Sequence, residues 1–442
     1  MQDWLYTSAG NLGRGIAAGD IDPVRLTETY LAAIDAHPMK DRIYARVTHE
    51  RALVEAGAAQ ARAKAGRRLS LLDGVPISWK DLFDTAGIGT EAGTALLKGR
   101  VPEADCHVLR NATMAGTVCL GKTHMSELAF SGLGLNPITE TPPCVNGADT
   151  VPGGSSSGAA ASVAFGLAAC GIGSDTGGSV RVPSAWNDLV GLKTTSGRLS
   201  LEGVVPLCLK FDTVGPLART VEDAALMLAL LEGGPAADLR GASLKGCRFA
   251  ALQTVAMDHV RDTPRKAYED TLIRLEAAGA TIEPLEVPEL AEAMALTGVL
   301  YTTEAYGLWR NVIEDNPELM FAKILERFRA GSSVSGPDYV SAWAELESHR
   351  MAWDRATAGF DAVLCPTVPT LPPNLERLNS DHDYYITENL LSLRNTRIGN
   401  LMGLCSLTLP TGVSSCGIQL MSPPNSEEAL LRIGAASEAA LA

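Results

Sequence analysis

The sequence predicts an α/β fold, a single large domain with a central mixed, mostly parallel, twisted β-sheet covered by helices on both faces. Three observations predict it. Apolar strand-like runs alternate with helical patterns through the first half of the chain. Strand signals return after residue 360, at Ala362-Val363-Leu364-Cys365 and Ser406-Leu407-Thr408-Leu409, so the tail has strands to add to the same sheet. No long Pro/Ser linker and no internal repeat divides the 442 residues.

Each element has a local reason. Asp22-Pro23 opens a helix through Val24, Leu26, Tyr30, Leu31 and Ile34, with Asp as N-cap and Pro at the first helical position. A second helix covers roughly residues 48–64 and stops at Gly66. The run Gly74-Val75-Pro76-Ile77-Ser78-Trp79 reads as a short strand ending in Lys80. Residues 104–115 read as helix, 117–120 as strand, 156–168 as helix and 170–173 as strand, with another helix starting near Ser179. The chain from Asp223 to about Arg350 is mainly helical and more charged, and a helix from Glu427 to about Leu441 closes it. The expected organisation is N-terminal helices over 1–65, a core over 66–225, a helical region lining the substrate pocket over 226–350, and a tail over 351–442 that completes the sheet.

Composition narrows the function. Hydrophobic residues at 46% and charged residues at 20% exclude intrinsic disorder. With 37 Lys plus Arg against 51 Asp plus Glu, the net charge of −14 gives no basic surface for phosphates, so no nucleic-acid partner is expected. The nine cysteines form no CxxC pair and mostly sit in apolar runs, as small buried thiols in a reducing cytoplasm would. The N-terminus shows no signal-peptide pattern. Residues 150–174 carry no charge, but their glycines and serines read as a buried small-residue helix rather than a membrane span. No membrane association is expected, and a homodimer is compatible with the sequence.

Two formal motifs fit poorly. Residues 116–123 satisfy the phosphate-loop pattern, yet a helix precedes Gly116 and the β-like run Val118-Cys119-Leu120 falls inside the supposed loop, the reverse of the required order. Gly154-Ser155-Ser156-Ser157-Gly158 satisfies the nucleophile-elbow pattern centred on Ser156, with His382 as a candidate base and Asp361 ahead of it, but no good strand precedes Gly154.

Three segments taken together carry more chemistry: residues 74–81, 152–158 and 173–185. In the third, Gly177-Gly178-Ser179 follows an apolar strand and precedes a helix. Paired glycines allow a sharp turn that aims consecutive N–H groups at one point, an oxyanion hole beside its own nucleophile. The same residues also suit a plain helix entry with Ser179 as N-cap. Lys80 ends an apolar strand. A buried Lys must find a partner or lose its proton, and the neutral amine is a base suited to serine. An ion pair with Asp81 or Asp84 at the surface is the alternative.

These segments resemble the amidase signature family, which includes fatty acid amide hydrolase and the A subunits of tRNA-dependent amidotransferases. Gly-Gly-Ser-Ser-Ser-Gly, then Asp-Thr-Gly-Gly-Ser-Val-Arg, then Gly191-Leu192-Lys193 looks like its signature, with spacings of 75 and 24 residues between Lys80, Ser155 and Ser179. Residues 121–131 are also similar, with His124 where the family often has Asn. The resemblance implies that Ser179 is the nucleophile, Ser155 a relay residue in a cis peptide, and Lys80 the terminal base. It implies oxyanion N–H groups from Thr176, Gly177, Gly178 and Ser179, and an acyl site lined by Ala129 and Ser131. It assigns support to Ser156 and a bracing pair to Asp175 and Arg181; Arg181 holding a substrate carboxylate is the other reading. No cofactor or metal is implied. The expected substrate is a small amide, aryl amide or carbamate (urethane), cleaved at its C–N bond; a glutamine amidase within a tRNA-dependent amidotransferase is the alternative. The aromatic set Tyr301, Tyr306, Trp309, Phe321, Phe328, Tyr339 and Trp343 reads either as core packing or as a substrate cage.

Overall fold

The computed structural model describes residues 2–442. The first long helix forms as its sequence dictates: the Asp22 carboxylate accepts the backbone N–H groups of Val24 and Arg25, and Pro23 opens Pro23–Ala36. Among the described residues, 11 strands form one sheet: β1 (Tyr44–Val47), β2 (Pro76–Lys80), β3 (Val118–Thr123), β4 (Cys170–Ser174), β5 (Val190–Lys193), β6 (Val214–Ala218), β7 (Arg248–Leu252), β8 (Thr281–Leu285), β9 (Ala362–Pro366), β10 (Cys405–Pro410) and β11 (Gly417–Ser422). Their order is β1-β3-β2-β4-β6-β5-β10-β11-β9-β7-β8.

The sheet is mixed, but it is not mostly parallel. Parallel pairing is confined to two flanks, β3-β2-β4 and β9-β7-β8. Every pairing from β4 across to β9 is antiparallel, as is β1 with β3. The reason lies in the connections. Helices His107–Met114, Ser157–Ala164 and Asp262–Ala277 cross between the flank strands, which makes them parallel. No helix stands between β5 and β6 or between β10 and β11; the latter two form a hairpin paired from Cys405↔Ser422 to Pro410↔Gly417. The region 226–350 is largely helical but also supplies β7 and β8, so the tail strands enter the middle of the sheet rather than extending its edge.

Strands β2 to β6 are buried along their whole length, as strands in a covered sheet must be. Helix Ser157–Ala164 packs on β2, β3 and β4. Its small residues follow from that closeness, since a Cβ at Gly158 would stand 2.6 Å from the Ile43 carbonyl oxygen. Helices Val221–Glu232 and Glu427–Leu441 pack on β6 and β10. Among the described residues no helix is long and apolar enough to cross a membrane. The phosphate-loop match is strand β3: Lys122 is buried, donates to the Phe83 carbonyl oxygen at 2.6 Å and to Thr90 Oγ1 at 2.8 Å, and pairs with Asp81 at 3.4 Å.

Candidate active site

Strands β2 and β4 run side by side in the same direction, so their carboxyl ends bring Lys80 and Ser174 together. Lys80 Nζ lies 2.8 Å from Ser174 Oγ and 2.7 Å from Ser155 Oγ. Lys80 is completely buried and no described acid pairs with it: Asp81 pairs with Lys122 and Arg46, and Asp84 with Arg100. Burial lowers the Lys80 pKa to about 7, against the opposing pull of Asp212 and Asp175.

Ser155 and Ser156 stand just before helix Ser157–Ala164, and the Gly154–Ser155 peptide is cis. Ser156 ties this turn to the next one. Its N–H donates to the Ser179 carbonyl oxygen at 3.2 Å, and its hydroxyl donates to the Ser174 carbonyl oxygen at 3.2 Å. Ser155, Ser156 and Ser179 are all buried.

The turn 175–179 is held from behind by Asp175. Its carboxylate accepts the N–H of Gly178 at 2.8 Å and of Val180 at 3.1 Å, and the Arg181 guanidinium through Nε and Nη2. Burial pushes this carboxyl up, but Arg181 more than reverses the effect and holds it at about 2. Arg181 is fully engaged, since Nη1 also donates to the Thr396 carbonyl oxygen and Gln419 Oε1, and Nη2 to Asn400 Oδ1. Arg181 is therefore a brace, and the reading that gives it a substrate carboxylate is overturned. One expected oxyanion donor also changes role. The Gly178 N–H is spent on Asp175, whereas the N–H groups of Thr176, Gly177 and Ser179 meet no acceptor among the described residues. Glycine is required at 178 on two counts: φ is +135°, and a Cβ would stand 2.0 Å from Thr396 Oγ1. Thr176 Oγ1 donates to Asp212 Oδ1 at 2.5 Å, and burial raises the Asp212 carboxyl to about 6.

A narrow cleft, with about 20 Å³ of free space, opens over this turn. Ala129 and Ser131 line it, and Ser131 Oγ donates to Asn389 Oδ1 at 3.1 Å. Of the aromatic set only Tyr301 reaches the cleft; the others mostly pack, Trp343 stacking on Phe211 at 5.1 Å and Phe328 meeting Phe130 edge-on at 4.8 Å. Sequence reasoning missed Ser174, Asp212, Arg327 and Arg397. Ser174 was within reach, because it precedes Asp175 in the same segment. The elbow reading fails on placement: His382 begins a helix, half-exposed, 3.7 Å from Glu326.

The mixed sheet and the loops at the ends of β2 and β4 define an amidase-type hydrolase. The family model described as Amidase matches residues 25–431, and the chain belongs to that family of hydrolases acting on amide C–N bonds. It is 35% identical over 416 residues to the 2-amino-5-chloromuconic acid deaminase of Comamonas testosteroni, covering 91% of this chain and 89% of that protein. It is 32% identical over 474 residues to the glutamyl-tRNA(Gln) amidotransferase A subunit of Anaeromyxobacter sp. (strain K), covering 96% and 94%. Among solved structures, the crystal structure of an amidase superposes with a TM-score of 0.88 at 29% identity, covering 99% of this chain and 100% of that one.

Proposed function

We propose that this chain hydrolyses small-molecule amides through an acyl-enzyme on Ser179, with Ser155 and Lys80 as the proton relay. The observation that carries the reading is Lys80: buried, without an acid partner, lowered to about 7, and within hydrogen-bond reach of two serine hydroxyls. A neutral amine so placed serves as a base near neutral pH. In the first step Ser179 Oγ bonds to the amide carbon and its proton passes to Ser155 Oγ, while the Ser155 proton passes to Lys80. The oxyanion rests on the free N–H groups of Thr176, Gly177 and Ser179. The relay then returns a proton to the nitrogen, the C–N bond breaks and the amine leaves. Water repeats the sequence on the ester to release the acid. Aryl amides and carbamates present the same acyl carbon and fall within this chemistry.

Trapping tests the assignment. Mass spectrometry after a rapid quench with an aryl amide should find the acyl group on Ser179, and Ser179→Ala should lose both adduct and hydrolysis. A Ser179→Ala protein that still hydrolyses the amide would falsify the reading. The likeness to an amidotransferase A subunit supports a second reading, a glutaminase acting within a larger assembly. Turnover of aryl amides by the purified chain alone, with no response to glutamine, decides against it.

A further inference from the structure

Asp212 is a buried acid that touches no cation among the described residues. It is 5% exposed and lies in the segment between β5 and β6. Both carboxylate oxygens are occupied all the same. Oδ1 accepts the Thr176 hydroxyl at 2.5 Å, and Oδ2 accepts the N–H groups of Leu207 at 2.9 Å and Cys208 at 3.0 Å. The next residue, Thr213, is laced to the start of the nucleophile turn. Its N–H and hydroxyl donate to the Asp175 carbonyl oxygen at 3.1 Å and 2.7 Å, and its own carbonyl oxygen accepts the Asp175 N–H at 2.8 Å. Residues 212 and 213 thus clamp residues 175 and 176 from one side.

These contacts bear on the reaction at two places. Thr176 supplies one of the three free N–H groups of the oxyanion turn, and its hydroxyl is the handle by which that N–H is aimed. Burial pushes the Asp212 carboxyl up to about 6, so it is ionised at neutral pH, and after burial it is the largest influence on Lys80, favouring the ammonium. The other charges nearby have their own partners or act less. Asp175 pulls Lys80 in the same direction but is answered by Arg181. Glu304, on helix Thr297–Asp315, adds a like charge near Asp212. Lys122, on β3, is paired with Asp81, and burial keeps the Cys208 thiol neutral. We propose that Asp212 is a positioning residue for the hydrolysis: through the Thr176 hydroxyl it aims an oxyanion donor, and its negative charge favours Lys80 as the proton from Ser155 arrives there. One carboxylate thereby serves the oxyanion turn and the base together. The proposal deepens the amidase reading and rests on Ser179 and Lys80 in their assigned roles.

Two measurements test it, and one of them needs no turnover. In Ser179→Ala protein carrying lysine labelled with carbon-13, the magnetic-resonance signal that Lys80→Met removes reports the titration of Lys80. Asp212→Asn takes away the negative charge, disfavours the ammonium and should move that titration down by about half a pH unit or more. A titration that stays in place or moves up overturns the proposal. In the intact enzyme, Thr176→Val leaves the carboxylate where it is and removes only the handle. It should lower kcat on an aryl amide about 10-fold or more with KM nearly unchanged, and Thr176→Ser should recover most of that loss. Wild-type turnover by Thr176→Val, or a loss that falls on KM alone, overturns the positioning role. Failure of the amidase reading looks different: Ser179→Ala would still hydrolyse the amide, while the Lys80 titration would go on answering to Asp212.

Discussion

Replacing Lys80 by Met removes the proposed base while keeping a long, unbranched side chain in its place. Lys80 is completely buried, and its pKa falls from 10.5 to about 7. That shift opposes the ammonium by about 5 kcal/mol at ~1.4 kcal/mol per unit. The sign for stability follows. Between about 7 and 10.5 the unfolded chain holds a proton that the folded chain has released, so stability rises with pH; below about 7 both states are protonated and the full penalty remains. Met carries no such penalty, so Lys80→Met should be at least as stable as the wild type at neutral pH, while turnover falls by roughly 10³-fold or more. In the wild type, kcat/KM should climb about tenfold per pH unit up to about 7, leaving about 1% of the plateau two units lower. Thermal melts and a pH–rate profile on an aryl amide measure both. A flat acid limb, or a Met variant keeping more than about a tenth of the activity, would refute Lys80 as base. A Met variant that melts well below the wild type would refute the burial argument.

Asp175→Ala strips the partner from buried Arg181 and should cost ~3–5 kcal/mol in denaturant unfolding. Because Asp175 is held at about 2, its stabilisation is complete above its ordinary value of 3.8 and is lost as pH falls from there toward 2, which acid titration of the melting temperature should show only in proteins that retain it. Gly178→Ala should unfold or silence the protein through its overlap with Thr396, whereas Gly177→Ala should fold normally, since the added Cβ meets nothing nearer than 4.0 Å; circular dichroism separates the two. His382→Ala should hydrolyse amides like the wild type, and a loss comparable to that of Lys80→Met would restore the elbow reading.

What the sequence revealed divides along physical lines. The turn at Ser179 was partly legible because its backbone demands write themselves as Gly-Gly-Ser, while Ser155 was picked out by the resemblance to the amidase signature. Lys80 was legible because a charge in an apolar run needs a reason. The parallel strands β2, β3 and β4 announced themselves by the helices between them, whereas β7 and β8 lay hidden in a region that reads as helical. The antiparallel centre did not: strand signals at 362–365 and 406–409 carry no direction, which depends on which distant strand accepts them. Arg397 was invisible for a related reason. An arginine on helix His382–Leu401 looks like any surface arginine until the tertiary fold covers it. Arg181 was half legible, since its pairing with Asp175 came from the resemblance of their segment to the amidase signature while its bonds to Thr396, Asn400 and Gln419 reach across the whole chain.

The placement of β10 and β11 bears on how this protein comes into being. Lys193 of β5 must wait for Ser406 as its neighbour, and the brace behind Ser179 needs Asn400 and Gln419. A nascent chain that has emerged only as far as β9 therefore holds two separate half-sheets, each with a bare strand edge, and a nucleophile turn without its rear support. Contacts of such sequence separation form slowly. During that interval the open edges of β5 and β9 invite pairing with other chains. Translation speed and chaperone supply should thus govern the yield of active enzyme more than the stability of the finished fold.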